Sequence, residues 1–351
     1  MKVVIVGNFS LLLDRVEPQV ETIARCLEGE GVTVVRTSWK RSKVLKGLDI
    51  IRTSLRESRG PQRADAIVAQ VFNNWNMVGG LLSVLCGRAV AIPVIVLYHG
   101  GNAERFLSRW GRVVAPVFRQ AFSVQVASEY IGGILRRWAV PYEVVPHVLD
   151  ASWVRQRVRE RAAPRILWVR AFHEVYDPFM ALDVLRHVLA RRPDASLTMV
   201  GRGELREAVE RVVRQEGLPV RFLDVMPRPK LAEQLDTHDI FLHTNRVDNQ
   251  PLSVLEAMAA GMIPVTTRVG GLPYVFEDGQ AGFQVPWGDA RAAADRILTI
   301  LEDSALARRM SKAAPLVAAR HEWPALRERW MDLLERAAGR SRNLRARLEV
   351  R

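Results

Sequence analysis

Short apolar runs alternate with segments of helical apolar spacing along almost the whole chain. Residues 3–7 are a β-branched run, 15–29 carry apolar positions at helical spacing, and 32–35 form a second run. Runs at 66–71 and 94–98 follow, with an amphipathic segment at about 77–89 between them, and then runs at 124–127 and 144–145. Strands that alternate with helices predict a parallel sheet with crossover helices. The pattern breaks at 150–164, where Val154-Arg155-Gln156-Arg157-Val158-Arg159-Glu160-Arg161 leads into Ala-Ala-Pro. This stretch reads as the connection between two domains.

A fresh run opens at 165–169 and the alternation resumes. Helices are predicted at about 178–191, 204–216, 229–236 and 252–260, and strands at 196–200, 220–223, 240–243 and 263–266. Two successive doubly wound units predict an α/β chain of two Rossmann-like domains facing across a cleft. Ligands in such sheets sit beyond the carboxyl ends of the strands. The predicted division is residues 1–155, 164–322 and 323–351, with a helix opening at Trp323 and running to about 338.

Composition narrows the classes. A length of 351 residues suits two cores, and 48% hydrophobic with 25% charged residues is a globular balance. Met1-Lys2-Val3-Val4-Ile5-Val6-Gly7 reads as a buried strand rather than a secretory leader. No window approaches the roughly 18 uncharged apolar residues of a membrane span. Cys26 and Cys86 stand outside any motif, which predicts a reducing cytoplasm without a disulfide or zinc framework.

Lys and Arg total 51 against 38 acids, a formal charge of +13. Such a surplus favours anionic partners: nucleic acid, acidic lipid or phosphorylated substrates. An arginine-rich, high-GC genome gives the same bias without any function. In 39–63, Lys40, Arg41, Lys43, Lys46, Arg52, Arg56, Arg59 and Arg63 are interleaved with Val44, Leu45, Leu48, Ile50, Ile51 and Leu55. That pattern fits either a segment lying on anionic headgroups or a solvated basic loop. The tail adds Arg340, Arg342, Arg345, Arg347 and Arg351. No nucleic-acid-binding motif is present, so no such partner is expected.

Candidate chemistry concentrates in Asp248-Asn249-Gln250-Pro251-Leu252-Ser253-Val254-Leu255-Glu256-Ala257-Met258-Ala259-Ala260-Gly261, then Ile263-Pro264-Val265, Gly270-Gly271 and Asp278-Gly279. Pro251 suits the first turn of a helix. The N-terminus of that helix offers free amides and a positive dipole end to an anion. Glu256 lies more than one turn inside, where the alternative is a solvated helix glutamate. Trp168-Val169-Arg170 sets a guanidinium at a strand end, and Val200-Gly201-Arg202-Gly203-Glu204 is a strand-to-helix turn, weak as a signal alone. Tyr98-His99-Gly100-Gly101 follows another strand, with glycines that let backbone approach a ligand.

The 248–279 stretch resembles the signature of glycosyltransferase family 4, the retaining group 1 enzymes of GT-B fold. The resemblance is good over 164–335 and looser over the first 150 residues. It implies transfer of a sugar from a nucleotide-diphosphate sugar, UDP- or GDP-linked, to a sugar or lipid-linked acceptor in polysaccharide or glycolipid synthesis. No metal and no other cofactor is implied, in keeping with the lack of an Asp-x-Asp motif. The N-terminal domain would take the acceptor, the second the donor, and the last helix would pack back on the first.

The resemblance also implies roles. Glu256 accepts both ribose hydroxyls, a task suited to a carboxylate. Asp248, where glutamate is usual, reaches the hydroxyls of the transferred sugar or else orders its loop. Arg170 neutralises the diphosphate, with a strand-end ion pair as the alternative. Gly201 and Gly203 line the nucleotide pocket through backbone, as do Pro251, Leu252 and Ser253 at the helix start. Val225, in the turn 224–227, presents backbone groups to the base. His99 bonds a sugar hydroxyl or supports the leaving diphosphate, or is a structural histidine. No general base is implied, because the donor phosphate helps to take the acceptor proton.

Besides Asp248, three departures from the signature stand out. The lysine expected about five residues after Arg170 is missing, with Val175 and Tyr176 in that region, which leaves His173, Arg246 or Arg268 as a second phosphate clamp. The Gly-Gly loop after the first strand is reduced to Gly7-Asn8-Phe9-Ser10. His147 replaces an asparagine in Pro146-His147-Val148-Leu149-Asp150. Phe72-Asn73-Asn74-Trp75-Asn76 is a polar loop that could meet acceptor or sugar, or no ligand. Rival readings are a nucleotide-sugar epimerase or hydrolase on the same fold, and a non-catalytic membrane-attached binding protein. A nicotinamide dehydrogenase fits less well, since no Gly-x-Gly-x-x-Gly follows the first strand. The expected location is cytoplasmic, peripheral on the inner face of a membrane.

Overall fold

The computed structural model describes residues 1–9, 18–40, 42–73 and 76–349. Ser10, residues 15–17 of the expected first helix, Arg41, Asn74, Trp75 and Arg351, all named above, lie outside them. The chain divides into Met1–Val148 with Trp323–Arg351, and Leu149–Glu322.

The first unit runs β1 (Lys2–Val6), α1 (Gln19–Gly29), β2 (Thr33–Thr37), α2 (Lys43–Glu57), β3 (Ala66–Val71), α3 (Asn76–Ala89), β4 (Val94–Tyr98), α4 (Ala103–Phe118), β5 (Ser123–Val126), α5 (Glu129–Arg136) and β6 (Glu143–Val144). The second runs β7 (Arg165–Val169), α6 (Pro178–Leu189), β8 (Ser196–Val200), α7 (Arg206–Glu216), β9 (Val220–Leu223), α8 (Arg228–Thr237), β10 (Ile240–His243), α9 (Leu252–Ala259), β11 (Ile263–Thr267), β12 (Phe283–Val285), α10 (Ala290–Glu302) and α11 (Ser304–Ala319). Then α12 (Trp323–Glu349) returns to the first unit. It is a continuous helix well past residue 338, so the basic tail up to Glu349 is helical.

Each unit is one parallel six-stranded sheet, ordered β2-β1-β3-β4-β5-β6 and β12-β11-β10-β7-β8-β9. Strands β3, β4, β10 and β11 are buried at every residue. Helices cover both faces, which is why these strands read as continuous apolar runs rather than alternating ones. In the first unit Val4 and Val6 face one core, while Val3 and Ile5 face another that Trp330, Leu333 and Leu334 of α12 complete. In the second, Ile166 and Trp168 pack under α6, while Leu167 and Phe241 lie with Val254, Leu255 and Met258 of α9.

The arginine-rich stretch at 154–161 is not a loose connection. Val148 belongs to the core of the first unit and Leu149 to that of the second. Arg159 is 1% exposed. Its guanidinium donates to the carbonyls of Leu235 (2.6 Å), His238 (2.9 Å), Arg157 (2.7 Å) and Ala260, and its amide donates to Ser311 Oγ at 2.8 Å. A cation thus sits where α8 and α9 end, at the negative ends of their dipoles.

Candidate functional site

Strand β7 ends at Val169, and Arg170 follows at its carboxyl end. Arg170 Nη2 donates to Asp248 Oδ2 at 2.6 Å and lies 3.1 Å from His243 Nε2. Its guanidinium stands 5.3 Å from the centre of the Tyr176 ring. The two paired side chains are only 18% and 16% exposed. Asp248 Oδ2 also accepts from Asn245 Nδ2 at 2.6 Å, and Oδ1 accepts the Asn249 amide at 2.8 Å. Burial works against the charge on Asp248, but the Arg170 and His243 side chains outweigh it and hold the carboxyl at about 2. Burial pushes His243 down from the usual histidine range.

Asp248 is therefore a fixed anion that orients Arg170 and its own loop, and Oδ1 keeps room for one further donor. Arg170 keeps a free donor as well, because its Nε is buried without a partner.

Helix α9 opens the other side of the site. Pro251 was expected inside the first turn; it sits one position earlier, as the N-cap, with φ −72° and ψ 113°. A proline has no side-chain group with which to cap. Its carbonyl accepts the amides of Val254 and Leu255. The amides of Leu252 and Ser253 have no backbone partner among the described residues, and Ser253 Oγ is buried without one. Orphan donors at a helix start form an anion site.

Glu256, one turn further in, is half-buried, and its carboxylate makes no hydrogen bond or ion pair among the described residues. Burial raises its carboxyl to about 7, against the pull of Arg228 and Arg170 and with Asp150 adding to the rise. Arg228, at the start of α8, was missed in the sequence. Its Nη1 donates to Asp150 Oδ2 at 2.8 Å, and its guanidinium lies 5.6 Å from the centre of the Trp153 ring. The available signal was Pro227-Arg228-Pro229 just past the exit of β9. His243 was missed too, having been read only as the end of a strand.

The three cations considered for the missing lysine are placed differently. His173 accepts the Val175 amide at 3.2 Å and stands 3.6 Å from Glu204. Arg246 pairs with Glu174 at 2.7 Å and Asp177 at 3.4 Å, stacked 4.9 Å from the Trp287 ring. Arg268 is exposed and has no side-chain partner among the described residues.

The Gly201 and Gly203 turn has a packing reason. Their φ values are +151° and +156°, and a Cβ on either would lie 1.9 Å from the Arg170 carbonyl oxygen or 2.3 Å from that of Phe172. Only glycine lets this turn press against residues 170–172, and that contact fixes Arg170. Val225 is 56% exposed. Its amide is already taken by Asp224 Oδ1 at 2.8 Å, and Arg202 holds Asp224 from the other side at 2.7 Å.

In the first unit, His99 turns inward. Its Nδ1 lies 2.6 Å from His147 Nε2, and its Nε2 is buried without a partner. Burial, with the neighbouring His147, keeps its pKa well below the usual range. With Nδ1 against His147 and Nε2 buried, the arrangement suits a structural histidine. The Tyr98 hydroxyl donates to Asn73 Oδ1 at 2.5 Å, and a Cβ on Gly100 would lie 2.4 Å from that same oxygen. Gly100 thus packs closely on the Asn73 side chain.

Residues 152–317 match the family model for glycosyl transferases group 1. Among curated relatives, sulfoquinovosyl transferase SQD2 of Arabidopsis thaliana is 27% identical over 148 residues, 41% of this chain and only 29% of that protein's length. Phosphatidyl-myo-inositol mannosyltransferase of Mycobacterium tuberculosis is 24% identical over 277 residues, 74% of this chain and 71% of the relative. Among solved structures, Anabaena Alr3699/HepE in complex with UDP superposes with a TM-score of 0.73 at 17% identity, covering 95% of this chain and 100% of that one. The signature around Asp248 and Glu256 lies inside the matched segment, and the two parallel sheets are those of the GT-B fold. Residues 152–317 thus form a domain of the glycosyl transferases group 1 family.

Proposed function

We propose that this chain transfers a sugar from a nucleotide-diphosphate sugar, UDP- or GDP-linked, to a sugar or lipid-linked acceptor in polysaccharide or glycolipid synthesis. The observation that carries the reading is the unpartnered Glu256 carboxylate, one turn inside a helix whose first two amides are free, with the charge of Arg170 acting on it. A carboxylate held for two hydroxyls beside donors held for an anion fits a ribose diphosphate. The names of the relatives, all sugar transferases, and the UDP bound by the Anabaena protein support it.

In this reading Glu256 accepts the ribose hydroxyls. Arg170 Nε, the Ser253 hydroxyl and the amides of Leu252 and Ser253 meet the diphosphate. Arg228 supplies a second positive charge in place of the missing lysine. Asp248 holds Arg170 and offers Oδ1 to one hydroxyl of the sugar. Leaving-group charge is then met by fixed side-chain and backbone donors, so the proposed transfer needs no metal or other cofactor. Attack on the face from which the phosphate departs, with that phosphate taking the acceptor proton, would retain the anomeric configuration. The proposed location is the cytoplasm, at the inner face of a membrane.

The test is nucleotide release from a panel of UDP- and GDP-linked hexoses, with and without octyl glucoside as surrogate acceptor. Release that depends on the acceptor supports transfer. Release or sugar isomerisation of equal rate without acceptor would put the hydrolase or epimerase reading in its place.

A further inference from the structure

The exposed faces of α2, α3 and α4 form one apolar and basic surface on the first unit. On α2, Val44, Leu48, Arg52 and Leu55 follow one another at helical spacing, with Leu45 and Arg56 beside them, and all six are exposed. Val44 is 73% exposed and Leu48 57%. Both acids of this helix turn away from that face: Asp49 accepts the Thr37 hydroxyl at 3.0 Å, and Glu57 is buried on Lys2 at 2.6 Å.

Next to α2 packs α3, with Gly47 opposite Leu82 and Gly79 opposite Ile50. It has no acid and leaves Val78 and Leu85 exposed. Beyond it, α4 exposes Trp110 and Val113 among Arg105, Arg109 and Arg112. The Arg109 guanidinium lies 5.6 Å from the centre of the Trp110 ring. The lone acid of α4, Glu104, is neutralised by Arg137 at 2.9 Å. Arg52, Arg105, Arg109 and Arg112 have no acidic partner among the described residues.

Exposed leucine, valine and tryptophan ringed by unpaired arginine, with every acid turned inward or neutralised, are what an anionic lipid surface complements. No helix among the described residues is long and apolar enough to cross a membrane, so the contact is lateral. We propose that the α2–α3–α4 face docks this chain on an anionic bilayer, with Leu45, Leu48 and Trp110 entering the interface and the arginines holding headgroup phosphates. The segment at 39–63 is thus one third of the surface; α4, with the tryptophan, is its other edge. The proposal goes beyond the donor-site reading and does not depend on it.

The experiment is flotation of the full chain with vesicles of phosphatidylcholine alone or with about 30% phosphatidylglycerol, the anionic lipid raising the charge term. The wild type is expected to partition at least about tenfold more strongly to the anionic vesicles, and less so in high salt. Leu45→Glu with Leu48→Glu, and separately Arg105→Glu with Arg109→Glu and Arg112→Glu, should each cut that partition by about tenfold or more. Leu316→Glu, at an exposed leucine of α11 in the second unit, should leave it unchanged. Equal binding to both vesicle types, or face variants that float like the wild type, would overturn the proposal. So would single-stranded RNA binding that competes with vesicles and survives the Leu45 and Leu48 changes, or a dimer through this face that does not bind vesicles. Nucleotide binding measured on the same variants should be unaffected, which separates this outcome from the fate of the donor site.

Discussion

On the second unit many surface arginines are tied to acids, as Arg186 is to Glu216, Arg191 to Glu302, Arg192 to Asp194 and Arg202 to Asp224, though Arg268 is not. On the α2–α4 face of the first unit, Arg52, Arg105, Arg109 and Arg112 stand beside exposed apolar side chains with no acid against them. The groups without partners in the second unit include three at the candidate site, Arg170 Nε, Ser253 Oγ and the Glu256 carboxylate. In the first they include the outward arginines. A surplus of +13 is one number for the whole chain, yet exposed arginine paired with acid contributes little, while unpaired arginine beside leucine is available to an anionic surface. The two proposals place nucleotide chemistry on one unit and surface attachment on the other.

The largest expected effect is at Glu256. Glu256→Ala should weaken nucleotide binding about 100-fold, or about 2.7 kcal/mol, while Leu45→Glu with Leu48→Glu leaves it within about twofold. Comparable losses from both changes would break the division of labour. Next is Arg170→Met, which should cost about tenfold or more in affinity for a nucleoside diphosphate and little for the bare nucleoside. The same substitution removes the cation that holds Asp248 at about 2, so that carboxyl should titrate higher in the variant, visible by carboxyl-carbon NMR.

A pH dependence follows from the elevated Glu256. Burial has raised this carboxyl to about 7, and it must be ionised to accept two hydroxyls. Nucleotide affinity should therefore fall as pH drops below 7, with proton release on binding seen by calorimetry in buffers of different ionisation enthalpy. Glu256→Gln should bind more weakly and lose this dependence.

The smallest expected effect is on stability. An acid whose folded pKa is raised leaves the fold unpenalised below its ordinary value of 4.5, and the penalty grows as pH rises toward about 7. Glu256→Gln should therefore melt a few degrees above wild type at pH 8 and level with it at pH 4, the shift being modest because the group is only half-buried.

The strands other than β12 were legible because doubly covered parallel strands are apolar at nearly every position, as in β3 and β10. Glu256 was legible through the resemblance of the 248–279 stretch to the family signature; its place on a helix alone left a solvated glutamate open. Helices α4, α10 and α11 were not picked out, since small buried residues blur their apolar period: Ala103, Gly111 and Ala115, then Ala293 and Ala294, then Ala307, Ala314 and Ala318. Arg159 belonged to a stretch whose composition spoke for solvent, and only tertiary packing shows it buried on helix ends. Arg228 and His243 come together with Glu256 and Arg170 from separate elements, so no local spacing announces them. The inward turn of His99 depends on His147, 48 residues away.

Nucleotide binding, measured by calorimetry with UDP and GDP on the wild type and on Glu256→Ala, tests the donor site most directly. Micromolar binding of one nucleotide, lost in the variant, is the predicted result. A folded wild type that binds neither, or a Glu256→Ala variant that binds as tightly as wild type, would contradict the assignment of the donor site to α9.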